Sequence, residues 1–287
     1  MASLYYRVRR IKLSTVIVNI IVWIIAILWL LPFIGLFMTS VRPYSEVVLK
    51  GWWTILGGHY TLNNYIQVLT NPMYDLLRGY MNSLTIAIPS TFIPLILAAM
   101  IAYGFSRFSF TAKNLLFILI LLIMAVPQQT MVIPMFFMLK TMGLLNKLIG
   151  LILVHSSWGI AWIAFFMRNY FNMMPREVEE AARVDGAGWA TIFFRIVLPV
   201  SLPALASAAA IQFTWVWSDF FFALMFIYSP EKMVITQKIV SIKGQFYVDW
   251  GLLSAGSILT MLVPLLVYAA LQKYYLRGMV GWASGKG

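Results

Sequence analysis

Apolar residues fall along this chain in long blocks parted by short polar or charged stretches. The blocks cover about 15–38, 82–103, 115–126, 149–167, 204–228 and 252–274. A helix needs roughly 20 apolar residues to cross the hydrocarbon layer of a bilayer, and the pattern predicts six crossings. The second block carries Pro89 and Pro94, which are tolerated only where neighbours take up the carbonyls that proline leaves free. That predicts a kinked helix inside a bundle. The third block reads as a span to about Val126, then a broken external segment through Pro127, Gln128, Gln129 and Pro134 that ends near Lys147. The expectation is an all-α polytopic membrane protein, one domain over 1–287, with a long polar connection over 168–203.

Composition supports lipid as the solvent. The chain has 287 residues, 62% hydrophobic and 10% charged, against about 25% charged in soluble domains. The net charge of +12 raises nucleic acid as a partner, but the basic residues flank the apolar blocks, which is where they orient a chain in a membrane. No nucleic-acid partner is therefore expected. With no cysteine and two distant histidines, no disulfide framework, thiol nucleophile or metal cluster is expected. The first block is too long for a signal-peptide core and runs into Thr39-Ser40-Val41-Arg42, so it reads as an uncleaved span.

The connection over 168–203 contains EAARVDGAGWATIFFRIVLP, Glu180 to Pro199. Pro175 is placed to open a helix. Glu177, Glu179 and Glu180 follow in its first turns, where the helix dipole favours acids. Asp185-Gly186 reads as its stop, with Gly186 in the left-handed conformation. A second short helix is expected from about Thr191 to Val197. The result is a helix–turn–helix elbow at a membrane surface.

This elbow resembles the signature loop of ABC-importer permeases: E-A-A, three residues, G, nine residues, I, one residue, L-P. Glu180, Ala181, Ala182, Gly186, Ile196, Leu198 and Pro199 fill every fixed position. Weaker likenesses to the carbohydrate-uptake branch of that family, which includes the maltose-transporter permeases, are GHYTLNNYIQVL, AYGFSRFSF and WSDFFFALMF. The last has Ser218 and Ala223 where Asn and Pro are usual. The tail QKYYLRGMVGWASGKG is also similar, with Trp282 and Ser284 departing from the usual residues. The resemblance implies a second homologous permease, two ATPase subunits or domains, an extracytoplasmic solute-binding protein and a sugar substrate. It implies alternating access, with ATP and Mg bound by the partner ATPase and no cofactor on this chain. It also places the elbow, Asp185 included, in a groove of the ATPase. Glu180 would cap or ion-pair, Gly186 would permit the turn, and Leu198 and Pro199 would fix the junction with the fifth span.

Candidates for a substrate path come from polar residues in apolar blocks. Gln212, Trp215 and Asp219 are spaced i, i+3, i+7 and share a helix face. Asp219 is the one acid inside any predicted span, and intramembrane charge is costly enough to mark function or pairing. An aromatic platform with amide and carboxylate acceptors suits a sugar, so Trp217 joins the set. The opposing reading makes Asp219 the cap of a broken helix or a partner-subunit contact. Gln128 and Gln129 either line the path or sit at the water interface. His155 is either a proton relay or a bond to a neighbouring helix.

Orientation follows from charge. Segments expected in the cytoplasm carry thirteen Lys and Arg against eight in the longer external ones, so both termini and the elbow are expected inside. No G-x-x-x-x-G-K-[ST] run exists, so ATP hydrolysis is expected on another chain and this one is not an enzyme. The alternative function is a stand-alone secondary sugar transporter using His155 or Asp219. A membrane-bound enzyme or scaffold is a third reading, without any cluster of acids, bases or ligands in its favour.

Overall fold

The computed structural model describes residues 13–54, 56–244 and 247–280, apart from the side chains of 13 and 275–280. The basic N-terminal residues 7–12 and the end of the tail, 281–287, with Trp282, Ser284 and Lys286, lie outside the described residues. Every regular element among the described residues is helical, with one isolated β-bridge between Lys243 and Val248.

Among the described residues four helices are each long and apolar enough to cross a bilayer: α1 (Leu13–Ser40), α4 (Leu76–Arg107), α7 (Leu148–Met173) and α14 (Trp250–Val280). Between α1 and α4 lie two short helices, α2 (Tyr44–Lys50) and α3 (Asn63–Thr70). The third apolar block forms α5 (Lys113–Ala125), which turns through 93° into a 3₁₀ turn at Gln128–Met131 and α6 (Val132–Thr141). Pro127 sits at that corner, where its missing N–H and fixed φ end α5.

The elbow comprises α8 (Glu177–Val184), α9 (Trp189–Ile192), a turn of π-helix over Phe193–Val197 and α10 (Leu198–Val200). A 73° bend at Ser201 leads into α11 (Leu202–Trp217). The fifth block departs from expectation here. It is not one helix to Tyr228: α11 ends at Trp217, and the chain restarts as the short α12 (Phe221–Phe226). A last short helix, α13 (Ile235–Ile242), precedes α14.

α4 and α7 form the centre. Small residues lie where they meet, Ser90, Ala98 and Ala102 on α4 with Gly159 and Ala164 on α7, which let helix backbones approach closely. A Cβ on Gly159 would stand 2.7 Å from the Gln212 amide and 3.0 Å from Pro94, so α4, α7 and α11 meet at that point. One apolar cluster gathers where α12 and α13 cover the bundle, around Leu76, Leu151, Phe222 and Ile235. A second, around Ala99, Tyr103, Met167, Phe171, Phe193 and Val197, seats the elbow on α4 and α7. By contrast α1 is exposed along almost its whole length and touches the bundle mainly through α14. In lipid such exposure costs nothing, since hydrocarbon is the solvent.

Candidate functional site

The elbow is closed by backbone geometry. Gly186 has φ +83°. The N–H of Ala187 donates to the carbonyl of Ala182 at 2.9 Å, and that of Gly186 to Arg183 at 3.0 Å. These two bonds form the Schellman stop, which needs a residue tolerant of positive φ. The Arg183 guanidinium lies 4.3 Å over the Trp189 ring, bracing the two arms. Trp189 in turn packs edge-on against Phe108.

The elbow's inner face is held by an ion pair. Arg107, the last residue of α4, donates to one carboxylate oxygen of Glu179 from Nε at 2.8 Å and Nη2 at 2.7 Å. The Tyr103 hydroxyl donates to the other oxygen at 2.9 Å. Both charged side chains are buried, at 4% and 6% exposure. Glu179 therefore fills the pairing role expected of Glu180, whose side chain points to solvent. Pro175 lies before the cap residue Arg176 and not at the first helical position, and the second arm begins at Trp189 rather than Thr191. The outer face exposes Val178 and Val184 beside Glu177, Glu180, Ala181 and Asp185, with Phe194 and Trp189 on the second arm. Ile196 and Leu198 are half-buried and Pro199 is exposed.

A cavity of about 340 Å³ opens between α7, α11 and the corner after α5. Gln128, His155, Trp158, Trp162, Trp215 and Asp219 are among its lining residues. Gln212, Trp215 and Asp219 all line it, but not as one helix face, because α11 ends at Trp217 and Asp219 lies beyond it. Trp215 presents a ring that is 58% exposed and meets Trp162 edge-on at 5.2 Å. Gln212 is buried, and its amide is committed. It accepts from Trp162 Nε1 at 2.8 Å and donates to the carbonyls of Ser90 at 3.0 Å and His155 at 3.2 Å.

Asp219 sits in the break between α11 and α12. Its two carboxylate oxygens accept from the N–H groups of Phe222 at 3.2 Å and Ala223 at 3.0 Å, so it caps the free donors of the first turn of α12 from the position before the N-cap residue Phe220. Its carbonyl accepts from the Thr236 hydroxyl at 2.6 Å. His155 Nε2 stands 3.5 Å from the same carboxylate. Among the described residues no group of three or more His, Asp or Glu could hold a metal.

Two path candidates lie elsewhere. Trp217 is 2% exposed, stacks on Phe213, and donates from Nε1 to the carbonyl of Thr260 on α14 at 3.0 Å. Gln129 is exposed and does not line the cavity. Glu179, Arg107, Trp158 and Trp162 carry geometry that sequence reasoning passed over. For Arg107 the available signal was a cation ending an apolar block, and for the two tryptophans their position on the His155 side of α7.

The family described as the binding-protein-dependent transport system inner membrane component matches residues 91–281. A probable ABC transporter permease of Pyrococcus horikoshii is 56% identical across 93% of this chain and 97% of its own length. The alpha-glucoside transport system permease of Rhizobium meliloti is 37% identical across 77% of this chain and 59% of its own. Among solved structures, a chain from a bacterial ABC transporter involved in the import of the acidic polysaccharide alginate superposes with a TM-score of 0.80. It covers 96% of this chain and all of that one at 23% identity, a likeness of fold.

Proposed function

This chain belongs to the family of binding-protein-dependent transport system inner membrane components, and from that premise we propose that it is the permease subunit of an ATP-driven carbohydrate importer. The elbow is the observation that carries the reading. Its inner face is fixed to the bundle, while its outer face offers apolar and acidic side chains to a partner. Val184 at its tip is 88% exposed, which suits a residue that becomes buried on docking. The partner is an ATPase subunit, two per assembly, which binds ATP and Mg. The basic bias of the flanking segments puts the elbow and both termini in the cytoplasm, within its reach.

A second homologous permease completes the path, and an extracytoplasmic solute-binding protein delivers the sugar, as the family's dependence on such a protein suggests. The cavity beside α7 and α11 is this subunit's share of that path. Trp215 offers an apolar platform for a pyranose ring, while Gln128 and His155 offer polar atoms to hydroxyls and Asp219 holds the wall. ATPase closure displaces the elbow, and the bundle changes the side to which the cavity opens. The relative from Rhizobium meliloti, by name an alpha-glucoside permease, supports the carbohydrate assignment.

Pull-down of the tagged chain from native membranes tests the reading. A nucleotide-binding chain, a second permease and a solute-binding protein are expected. The one observation favouring a stand-alone secondary transporter is the His155–Asp219 pair in the cavity wall. Uptake driven by a proton gradient, with no ATPase recovered, would establish that reading instead.

A further inference from the structure

We propose that α4, through Arg107, receives the displacement of the elbow, so that Arg107 and Glu179 are positioning residues for coupling. The inference rests on the importer reading above. The elbow is joined to the bundle along the chain at both ends, to α7 through residues 174–176 and to α11 through α10, and through space by its apolar seat on α4 and α7 and a polar contact with α4. Along the chain it continues through α10 to α11, but that junction turns through 73° at Ser201. Through space it meets α4 head-on: Glu179 is gripped by Arg107 and Tyr103 with three bonds of 2.7–2.9 Å. The pair is buried away from the outer face on which an ATPase would sit. A charged pair inside an apolar bundle does not let go readily, because separation leaves each charge desolvated and alone.

The grip extends to α7. Arg107 Nη1 donates to the Ser106 hydroxyl at 2.9 Å, and that hydroxyl donates to Asn172 Oδ1 at 2.7 Å. From Arg107, α4 runs helical to Ser90, about 26 Å along its axis at 1.5 Å per residue. The Ser90 carbonyl there binds the amide that fixes Trp162 in the cavity wall. One helix thus joins the elbow's inner face to the wall of the cavity.

The test uses the assembled transporter in proteoliposomes and reads sugar moved per ATP hydrolysed. In Glu179→Gln and Arg107→Gln, ATPase recovery is expected to hold while this ratio falls about tenfold, within the range seen when coupling residues are altered. The swapped pair Glu179→Arg with Arg107→Glu is expected to recover part of the ratio. An unchanged ratio in either single variant, or no recovery on swapping, overturns the proposal. Wild-type membranes that yield no ATPase overturn the importer reading, and this inference with it.

Where the single variants fail to assemble, a distance replaces them. The chain has no cysteine, so Arg195→Cys and Met100→Cys accept spin labels at exposed sites on the elbow's second arm and on α4, away from the face offered to the ATPase. Their separation is expected to stay constant between nucleotide-free and ATP-bound transporter. A change of about 5 Å, one helical turn, would show the elbow moving against α4 and overturn the proposal.

Discussion

Gln212 donates its amide N–H to the main-chain carbonyl of Ser90 at 3.0 Å, the carbonyl that Pro94, four residues on, leaves without a helical donor. Trp217 does the same for Thr260, four residues before Pro264. Two prolines inside long helices are thus satisfied by side chains of α11, which holds α4 and α14 together. Gln212→Leu is expected to leave the Ser90 carbonyl and the Trp162 N–H unpaired, at about 1–3 kcal/mol for each. Pro94→Ala in that background restores a backbone donor and is expected to recover part of the loss. Thermal midpoints of the purified proteins give the comparison; equal losses with and without Pro94→Ala would contradict it.

Gly186 has open space where a Cβ would stand, so any penalty there is a backbone penalty. Gly186→Val must hold a β-branched residue near φ +83°, against a left-handed cost of about 1–2 kcal/mol even for ordinary residues. The expected outcome is normal membrane insertion with ATPase association and transport lost. Gly186→Asn, which tolerates that region better, is expected to keep most of both. Equal transport in Gly186→Val and wild type would contradict the turn's role.

Trp215 and Asp219 separate contact from scaffold. Trp215→Ala removes an exposed ring and is expected to change stability little. It raises the sugar concentration for half-maximal uptake by about 2- to 10-fold, the worth of an aromatic contact. Asp219→Ala removes the α12 cap and is expected to cost about 1 kcal/mol of stability, read as a lower thermal midpoint. A Trp215→Ala protein as destabilised as Asp219→Ala, with unchanged uptake, would reverse the two roles.

Glu46, outside the spanning helices on α2, holds a pH-dependent contact. Its carboxyl is lowered from 4.5 to about 2, first by the His59 side chain and then by the His59 backbone N–H, with Arg42 and Lys50 adding to this. A folded-state value below the unfolded one gives stability that is present above about 4.5 and lost as pH falls towards about 2. The difference in thermal midpoint between wild type and Glu46→Gln is therefore expected to shrink as pH falls through that window. A difference that grows on acidification would contradict it.

What could be read from the sequence was local. The elbow's stop needs one glycine at one spacing, and the apolar blocks state their own lengths. The grip on Glu179 was hidden because its partner Arg107 lies 72 residues away, and nothing within α8 tells which of three glutamates faces the bundle. The break after Trp217 was masked by the apolar residues on either side of it. Its one signal was Ser218-Asp219 ahead of the apolar residues 220–227, a cap pattern. Trp217 could have been removed from the path by spacing alone, since residues two apart on a helix do not share a face with Trp215. That Gln212 is held by other helices could not be read, because its partners Ser90 and Trp162 come from α4 and α7.

The central claim is that an ATPase grips the elbow from inside the cell, and Val184→Cys tests it directly in a chain without other cysteines. In native membranes this single thiol is expected to cross-link to a nucleotide-binding chain and to resist an impermeant thiol reagent added to intact cells. Labelling by that reagent from outside, with no cross-link to a nucleotide-binding chain, would contradict the account.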